Sequence, residues 1–317
     1  MNDDYLWDRS GPPDPDVARL EQALAPLRYR HRADLLRRPR THSWWAAAAA
    51  VLLCAFATWQ VGIRPSPSPS WQIASVEGAA HLGSDNATIA MSLHGGQTLR
   101  TGSDALITLQ SDEMGQIDLG PDSELRSSTF SQLKLNHGQL HAFIWARPGL
   151  FQVDTPSARA IDLGCEYTIN VNPAGDGLLR VSKGWVAFRY RGQESFIPAG
   201  AACVTRKRQG PGIPYYEDAP EQVRQGVAAF EADSSAPLDG LLAAARPQDG
   251  LTLWHLLTRV PAADRGRVYD RLAELVPQLP DVTREGVIRL DPHMIDRCWD
   301  ALNLENTEWW RGWERKW

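Results

Sequence analysis

Cysteines have the widest chemistry in this sequence, because a thiol can form a disulfide, bind a metal or act as a nucleophile. Cys54 lies in an uncharged apolar stretch, where it is simply a small apolar side chain. Cys165 and Cys203 fall in strand-like segments of one β region, and we predict that they form a disulfide, with two buried thiols as the alternative. Cys298 is expected to stay free or buried, and without a CxxC or HExxH motif a structural zinc site is not indicated.

Histidines and paired carboxylates show no catalytic pattern. His137 and His141 have the spacing of helical metal ligands, but in strand-like sequence they would be about 13 Å apart. His255 lies among leucines and is predicted to be a core or boundary histidine, while Asp112-Glu113 and Glu217-Asp218 fall in predicted turns. No GxSxG, SxxK or phosphate-binding glycine loop occurs, so the sequence predicts no enzyme, cofactor or metal site.

Tryptophans are concentrated at the end of the sequence. Indole rings form binding surfaces, but they also fill the core of a small domain or fix a terminal helix to its neighbour. Both interpretations stay open here: internal packing, or an aromatic contact surface. The cluster consists of Trp299, Trp309, Trp310, Trp313 and Trp317.

The segment Trp44–Ile63 is predicted to be a transmembrane helix. Its twenty residues carry no charge, and as a helix they would span about 30 Å, the thickness of the bilayer's hydrocarbon core. A cleaved signal peptide, with Ala55-Phe56-Ala57 as the cleavage site, is the alternative, but the 43-residue leader is far longer than usual.

Charge asymmetry around this segment predicts its orientation. Arginines before it place the N-terminus in the cytoplasm and the rest of the chain outside. The abundant alanine, and only four lysines among 33 basic residues, suggest a bacterial chain with that outer region in the periplasm, anchored in the inner membrane. A net charge of −5 gives no support to nucleic-acid binding. The arginines are Arg28, Arg30, Arg32, Arg37, Arg38 and Arg40, against Arg64 alone beyond the segment.

The cytoplasmic segment, residues 1–43, is predicted to contain one short amphipathic helix. Asp14 can cap it, Pro15 suits its first position and Pro26 should bend or end it. Its apolar stripe either binds a cytoplasmic partner or, with the basic tail, lies on membrane lipid. The stripe consists of Val17, Leu20, Leu24 and Leu27.

Beyond the membrane, the hydrophobic period divides the chain into distinct regions. Residues 64–70 form a Pro/Ser stalk, 71–206 alternate with the period of short strands, 207–219 form a linker and 220–317 are helical. About a dozen short strands without room for crossover helices predict an antiparallel β-sandwich or β-roll. The fold class is therefore mainly β, with one transmembrane helix and a C-terminal α-helical region that is either a separate small domain or docked on the β domain.

Six fragments of the β region together resemble the FecR domain of bacterial transmembrane sigma-factor regulators. Their order over about ninety residues, outside one predicted span, carries the resemblance. Where the family usually has Gly-Thr before an aromatic strand, this chain has Gly164-Cys165, which we interpret as one half of the disulfide. The fragments are Leu99–Leu109, Ile117–Leu125, Leu133–Leu140, Phe151–Pro156, Asp162–Ile169 and Val181–Val186.

The resemblance implies a single-pass inner-membrane signalling protein. Its periplasmic domain would sense a partner or envelope state, and its cytoplasmic helix would bind or release an ECF-type sigma factor. Two departures from the family are the short cytoplasmic region, with Trp7 as its only tryptophan before the span, and the tryptophan-rich helical C-terminus. The alternative is a tethered periplasmic scaffold, or a module that binds envelope protein or glycan, with no sigma-factor role.

Overall fold

The computed structural model describes residues 15–27 and 70–304. The chain divides into two compact units, Met1–Ser66 and Pro67–Trp317. In the described part of the chain, none of the helices combines the length and the apolar character needed to cross a bilayer. The predicted span Trp44–Ile63, residues 64–69 of the predicted stalk and the tryptophans Trp309, Trp310, Trp313 and Trp317 lie outside the described residues.

The described part of the first unit is one helix, α1, from Pro15 to Leu24, followed by a 3-10 turn, Ala25–Leu27. Proline suits the first helical position because its φ is already helical and its missing N–H would have no partner there. Arg19 bonds Asp16 at 3.2 Å on the exposed surface. The helix begins and ends where the prolines of the sequence predict.

The second unit contains a β region of short strands. Most are two to seven residues long, and glycine-containing turns separate many of them. They are β1 Trp71–Glu77, β2 Ala80–Leu82, β3 Asp85–Asn86, β4 Ser92–Leu93, β5 Thr98–Thr101, β6 Leu106–Ser111, β7 Gly115–Leu119, β8 Glu124–Thr129, β9 Gln132–Ile144, β10 Gln152–Asp154, β11 Arg159–Asp162, β12 Glu166–Val171, β13 Gly177–Lys183, β14 Trp185–Tyr190, β15 Gln193–Pro198, β16 Ala201–Arg206, β17 Gly210–Pro211 and β18 Tyr215–Tyr216.

These strands form one connected sheet that curls on itself around the long strand β9. The first half of β9 pairs with β8 and β10, and its second half pairs with β7 and β12. We call the half with β2, β3, β5, β8, β10, β11, β14, β15 and the first half of β9 the B face, and the half with the remaining strands and the second half of β9 the A face. Among the described strands, only the β9–β10 pair is parallel. The predicted mainly antiparallel β region is therefore confirmed, as a curled sheet.

Gly138 allows β9 to change from one half of the sheet to the other. His137 is the last residue of β9 in register with β8, whereas Gly138 is already in register with Val171 of β12. Gly138 has φ +103°, and a Cβ here would lie 2.0 Å from the Ser123 hydroxyl oxygen. Only glycine fits such a backbone at such a close approach.

The core lies between the two halves of the sheet. Alternate side chains of each strand point inward, as in β7, where Ile117 and Leu119 are buried and Gln116 and Asp118 are partly exposed. Trp71 is fully buried and meets the Phe151 ring edge-on at 5.6 Å. This contact links the A face to the segment that enters β10.

Six α-helices follow the sheet in the described part of the chain, and α7 contacts the sheet through Trp299. Trp299 provides the central contact, with ring centroids 5.7 Å from Phe196 of β15, 6.0 Å from Trp185 of β14 and 4.6 Å from Trp254. The predicted helical C-terminal region is confirmed, and its helices are docked on the sheet. They are α2 Glu221–Ala232, α3 Asp239–Ala244, α4 Gly250–Leu257, α5 Ala262–Leu275, α6 Arg284–Ile288 and α7 Pro292–Ala301.

The predicted Cys165–Cys203 disulfide is wrong. Both thiols are free and buried, as is Cys298. Cys203 is opposite Leu179 and Leu179 is opposite Ile169, so Cys203 lies two strands away from Ile169, which follows Cys165 by four residues. That offset is roughly 10 Å across the sheet and 13 Å along it, whereas a disulfide needs Cα atoms within about 7 Å.

Candidate functional sites

The apolar stripe of α1 is exposed. Leu20 is 61% exposed, Leu24 53% and Leu27 78%, and Val17 is partly exposed. The helix buries none of its residues within the described structure. Exposed apolar side chains on a short helix, here Leu20 and Leu24 with Leu27 in the turn that follows, are the arrangement by which an amphipathic helix enters the groove of a partner or lies on a membrane surface.

Charged side chains form a row across the outer surface of the B face. Lys134 of β9, Asp154 of β10, Arg159 of β11 and Arg189 of β14 are successive register partners. They point outward because their neighbours Leu133, Val153, Ala160 and Phe188 point into the core. A shallow groove of about 600 Å³ runs along this row, and Tyr190 and Arg191 line its end.

The groove carries more cations than its carboxylates balance. Arg159 pairs with Asp154 at 2.6 Å, and Arg189 pairs with Glu194. Lys134 forms no ion pair within the described structure, and the Arg191 guanidinium lies 5.2 Å from the Tyr190 ring. Such a surface favours anionic groups.

Arg191 occupies an unusual position for a large side chain. It has φ +48° and Gly192 φ +87° in the two-residue turn between β14 and β15. Asn-Gly is the usual pair in this kind of turn, because both residues need a positive φ. The sequence Tyr190-Arg191-Gly192 is thus a local signal of this site, which sequence reasoning missed.

An exposed aromatic pair lies on the A face. Phe143 is 44% exposed and Trp145 is 47% exposed, with their rings edge-on at 5.8 Å. The Lys183 ammonium lies 5.7 Å from the Phe143 ring, and the Trp145 indole N–H donates to the Asp112 carbonyl at 2.8 Å. Exposed aromatic side chains of this kind are typical contacts for a protein or glycan partner.

The two histidines of β9 have separate neighbours. His137 is opposite Glu124 in the B half, whereas His141 lies 3.5 Å from Asp118 and 3.4 Å from Glu166 in the A half. Lys183 is the main reason that the pKa of Glu166 is lowered, and His141 adds to it. No group of three His, Cys, Asp or Glu side chains suited to a metal ion occurs in residues 15–27 and 70–304.

A buried polar cluster lies where β11 leads into β12. The Cys165 thiol donates to the Asp162 carboxylate at 2.5 Å, and the Gly164 N–H donates to the same carboxylate at 2.8 Å. Burial raises the pKa of Asp162 to about 7, and burial also raises the pKa of Cys165 and of Tyr167. The buried Tyr167 hydroxyl makes no hydrogen bond within residues 15–27 and 70–304. The cluster can hold or release one proton inside the fold.

His255 joins the helices to the sheet, consistent with the predicted core histidine. Its Nε2 accepts a bond from the Phe196 N–H at 3.1 Å, and its Nδ1–H donates to the Leu251 carbonyl at 2.9 Å. Burial, followed by the charge of Arg259, lowers the pKa of His255 to about 3. The ring is therefore neutral and structural.

Comparison with known proteins identifies no family. No protein-family profile matches the chain, and no curated protein matches it in sequence. Crystal structures of a protein described as a "putative anti-sigma factor" from Parabacteroides distasonis are similar at 14% identity and a TM-score of 0.34. One match covers 43% of this chain and 64% of that chain, less than two thirds of its length, and the other covers 46% and 71%.

Proposed function

We propose that the chain is a non-enzymatic, single-pass inner-membrane signalling protein of the FecR type. Helix α1 binds an ECF-type sigma factor in the cytoplasm, and the β region with its docked helices is the periplasmic sensor. The apolar segment Trp44–Ile63 and the arginines before it support this topology. The ordered FecR-like fragments support the sensor assignment.

The exposed stripe of α1 is the observation that carries the proposal. Solvent-exposed leucines cost free energy unless a partner covers them, and burying each one fully contributes about 1.5–3 kcal/mol. A stripe of this length matches the helix-in-groove mode of recognition, in which residues three and four apart anchor the helix. The basic residues that follow α1 in the sequence keep this short helix close to the membrane.

A charge placed on the stripe tests the proposal. We expect Leu20→Glu and Leu24→Glu in the full-length chain to reduce co-purification of a sigma factor at least about tenfold, because each buries a charge at the contact. Gln22→Glu is the matched control, since it adds the same charge to the opposite side of α1. Retained sigma factor would be quantified from detergent-solubilised membranes by mass spectrometry. Equal capture by all three variants, or no captured sigma factor at all, contradicts the proposal.

The second candidate function is a tethered periplasmic module without a cytoplasmic partner. The exposed Phe143–Trp145 pair favours it, because such rings contact glycans and proteins. We expect Trp145→Ala to weaken co-sedimentation with cell-wall glycan if this candidate is correct, with no change in sigma-factor capture. Trp145→Phe, which keeps an aromatic ring, is the control.

A further inference from the structure

A small polar cavity lies where the helices meet the sheet. It has a volume of about 230 Å³ and is bounded by the β16–β17 hairpin, the end of α2 and Arg259, which follows α4. Its charged lining side chains are Arg206, Glu231 and Arg259. A second cavity, of about 410 Å³, shares Gln193 and Arg259 with it.

The half-buried Arg206 side chain has no hydrogen-bond or ion-pair partner within the described structure. Its Nε is buried and makes no hydrogen bond, and its guanidinium forms no ion pair there. Buried guanidinium N–H groups are normally satisfied, because an orphaned donor has lost its hydration without compensation. This group is therefore available to a carboxylate that enters the cavity.

Glu231 is held in place by the backbone. Its Oε1 accepts the Ile213 N–H at 2.6 Å, and this approach is possible because Gly212 has no side chain: a Cβ there would lie 2.0 Å from that oxygen. Burial raises the pKa of Glu231, and the Ile213 N–H bond, followed by the charges of Arg259 and Arg206, opposes the rise. The second carboxylate oxygen is not used by this hydrogen bond.

Arg259 is also held by its own hydrogen bonds. It donates to the Pro211 carbonyl at 2.8 Å, to the Ser195 hydroxyl at 2.6 Å and to the Glu194 carbonyl at 3.2 Å. Within the described structure neither arginine forms an ion pair with Glu231. Glu231 and the two arginines thus line one cavity without pairing with one another. The space between them stays open to a ligand, and the hydrogen bonds of Glu231 and Arg259 fix these two side chains before the ligand binds.

We propose that this cavity binds a small α-amino acid. Its carboxylate bonds the Arg206 guanidinium and its ammonium bonds Glu231, so the zwitterion satisfies both groups at once. The cavity, of about 230 Å³, has room for a free amino acid. This inference does not depend on the sigma-factor proposal, because the cavity lies wholly within the second unit.

Calorimetric titration of the purified full-length chain in detergent tests this site. The probes are glycine and L-alanine, with acetate and methylammonium as the anionic and cationic halves. We expect both amino acids to bind at least tenfold more tightly than either half. Failure of both amino acids to bind saturably, or equal binding by acetate, overturns the proposal and leaves a water-filled cavity.

Matched variants locate the binding. Arg206→Gln and Glu231→Gln should each weaken glycine binding at least tenfold, whereas Arg208→Gln in the same hairpin and Glu221→Gln on the same helix should leave it unchanged. Ser234→Phe, which fills the cavity without altering a charge, should abolish binding, and Ala232→Phe nearby should not. Undiminished binding in a correctly folded Arg206→Gln or Ser234→Phe variant, judged by circular dichroism, overturns the assignment.

Discussion

Asp162 makes stability depend on pH through a single buried carboxyl. Its pKa rises from 3.8 to about 7 on folding, chiefly because burial disfavours the charged form. The folded state therefore binds the proton more tightly, and the associated stability is complete below pH 3.8 and is lost as pH rises towards and through 7.

We expect Asp162→Asn to remove this loss. The amide keeps an oxygen for the Gly164 N–H but does not ionise. Relative to the parent, the free energy of unfolding of the variant should increase by about 2–3 kcal/mol between pH 5 and pH 7, measured by urea denaturation. If the difference in unfolding free energy between the variant and the parent is the same at pH 5 and at pH 7, Asp162 does not titrate in that range.

His255 has the opposite pH dependence. Its pKa falls from 6.5 to about 3 on folding, so the unfolded state binds the proton more tightly. The stability it contributes is present above pH 6.5 and is lost as pH falls towards 3.

His255→Gln should therefore reduce acid sensitivity, because glutamine accepts the Phe196 N–H bond but gains no charge. Between pH 6.5 and pH 5 the parent should lose about 2 kcal/mol more than the variant in the same denaturation experiment. Equal losses would contradict the neutral, buried ring. The pH dependences of Asp162 and His255 have opposite signs and largely cancel between about pH 4 and pH 6.5.

At the scale of elements, β9 depends on one glycine. We expect Gly138→Ala to lower the free energy of unfolding by more than about 2 kcal/mol, because φ is positive and the new methyl group collides with Ser123. Gly96→Ala is the matched control: φ is +88°, but nothing lies within 4 Å of the added Cβ. If both variants lose the same stability, the collision in β9 does not contribute.

Local signals predicted the elements well. Pro15 and Pro26 predict the limits of α1, and the alternation of Tyr167, Ile169 and Val171 predicts the buried face of β12. The leucines Leu253, Leu256 and Leu257 are buried as their spacing predicts. The five-residue helix α6 was missed because so short a segment has little periodicity.

Pairing between distant strands was not predictable. The disulfide hypothesis failed because the register of β12, β13 and β16, which separates the two thiols, is set by contacts far apart in sequence. The row of Lys134, Arg159 and Arg189 was missed for the same reason. Its members come from β9, β11 and β14. Strands β9 and β11 both pair with β10, and β14 pairs with β11, so only the fold brings the three side chains together.

At the scale of the whole molecule, Trp299 joins the helices to the sheet. Trp299→Ala should reduce the free energy of unfolding by about 3–5 kcal/mol, because it leaves a cavity among Trp185, Phe196 and Trp254. Trp145→Ala, at an exposed position, should cost less than about 1 kcal/mol. Equal losses in guanidinium denaturation would show that the helices contribute nothing to the stability of the sheet.

The position of Trp299 also governs how the chain can mature. During translation, β14 and β15 are synthesised about a hundred residues before Trp299, whose indole ring covers part of them. Until Trp299 has been synthesised, Phe196 and its neighbours form an exposed apolar surface. Folding of the second unit is therefore complete only after translation has passed α7.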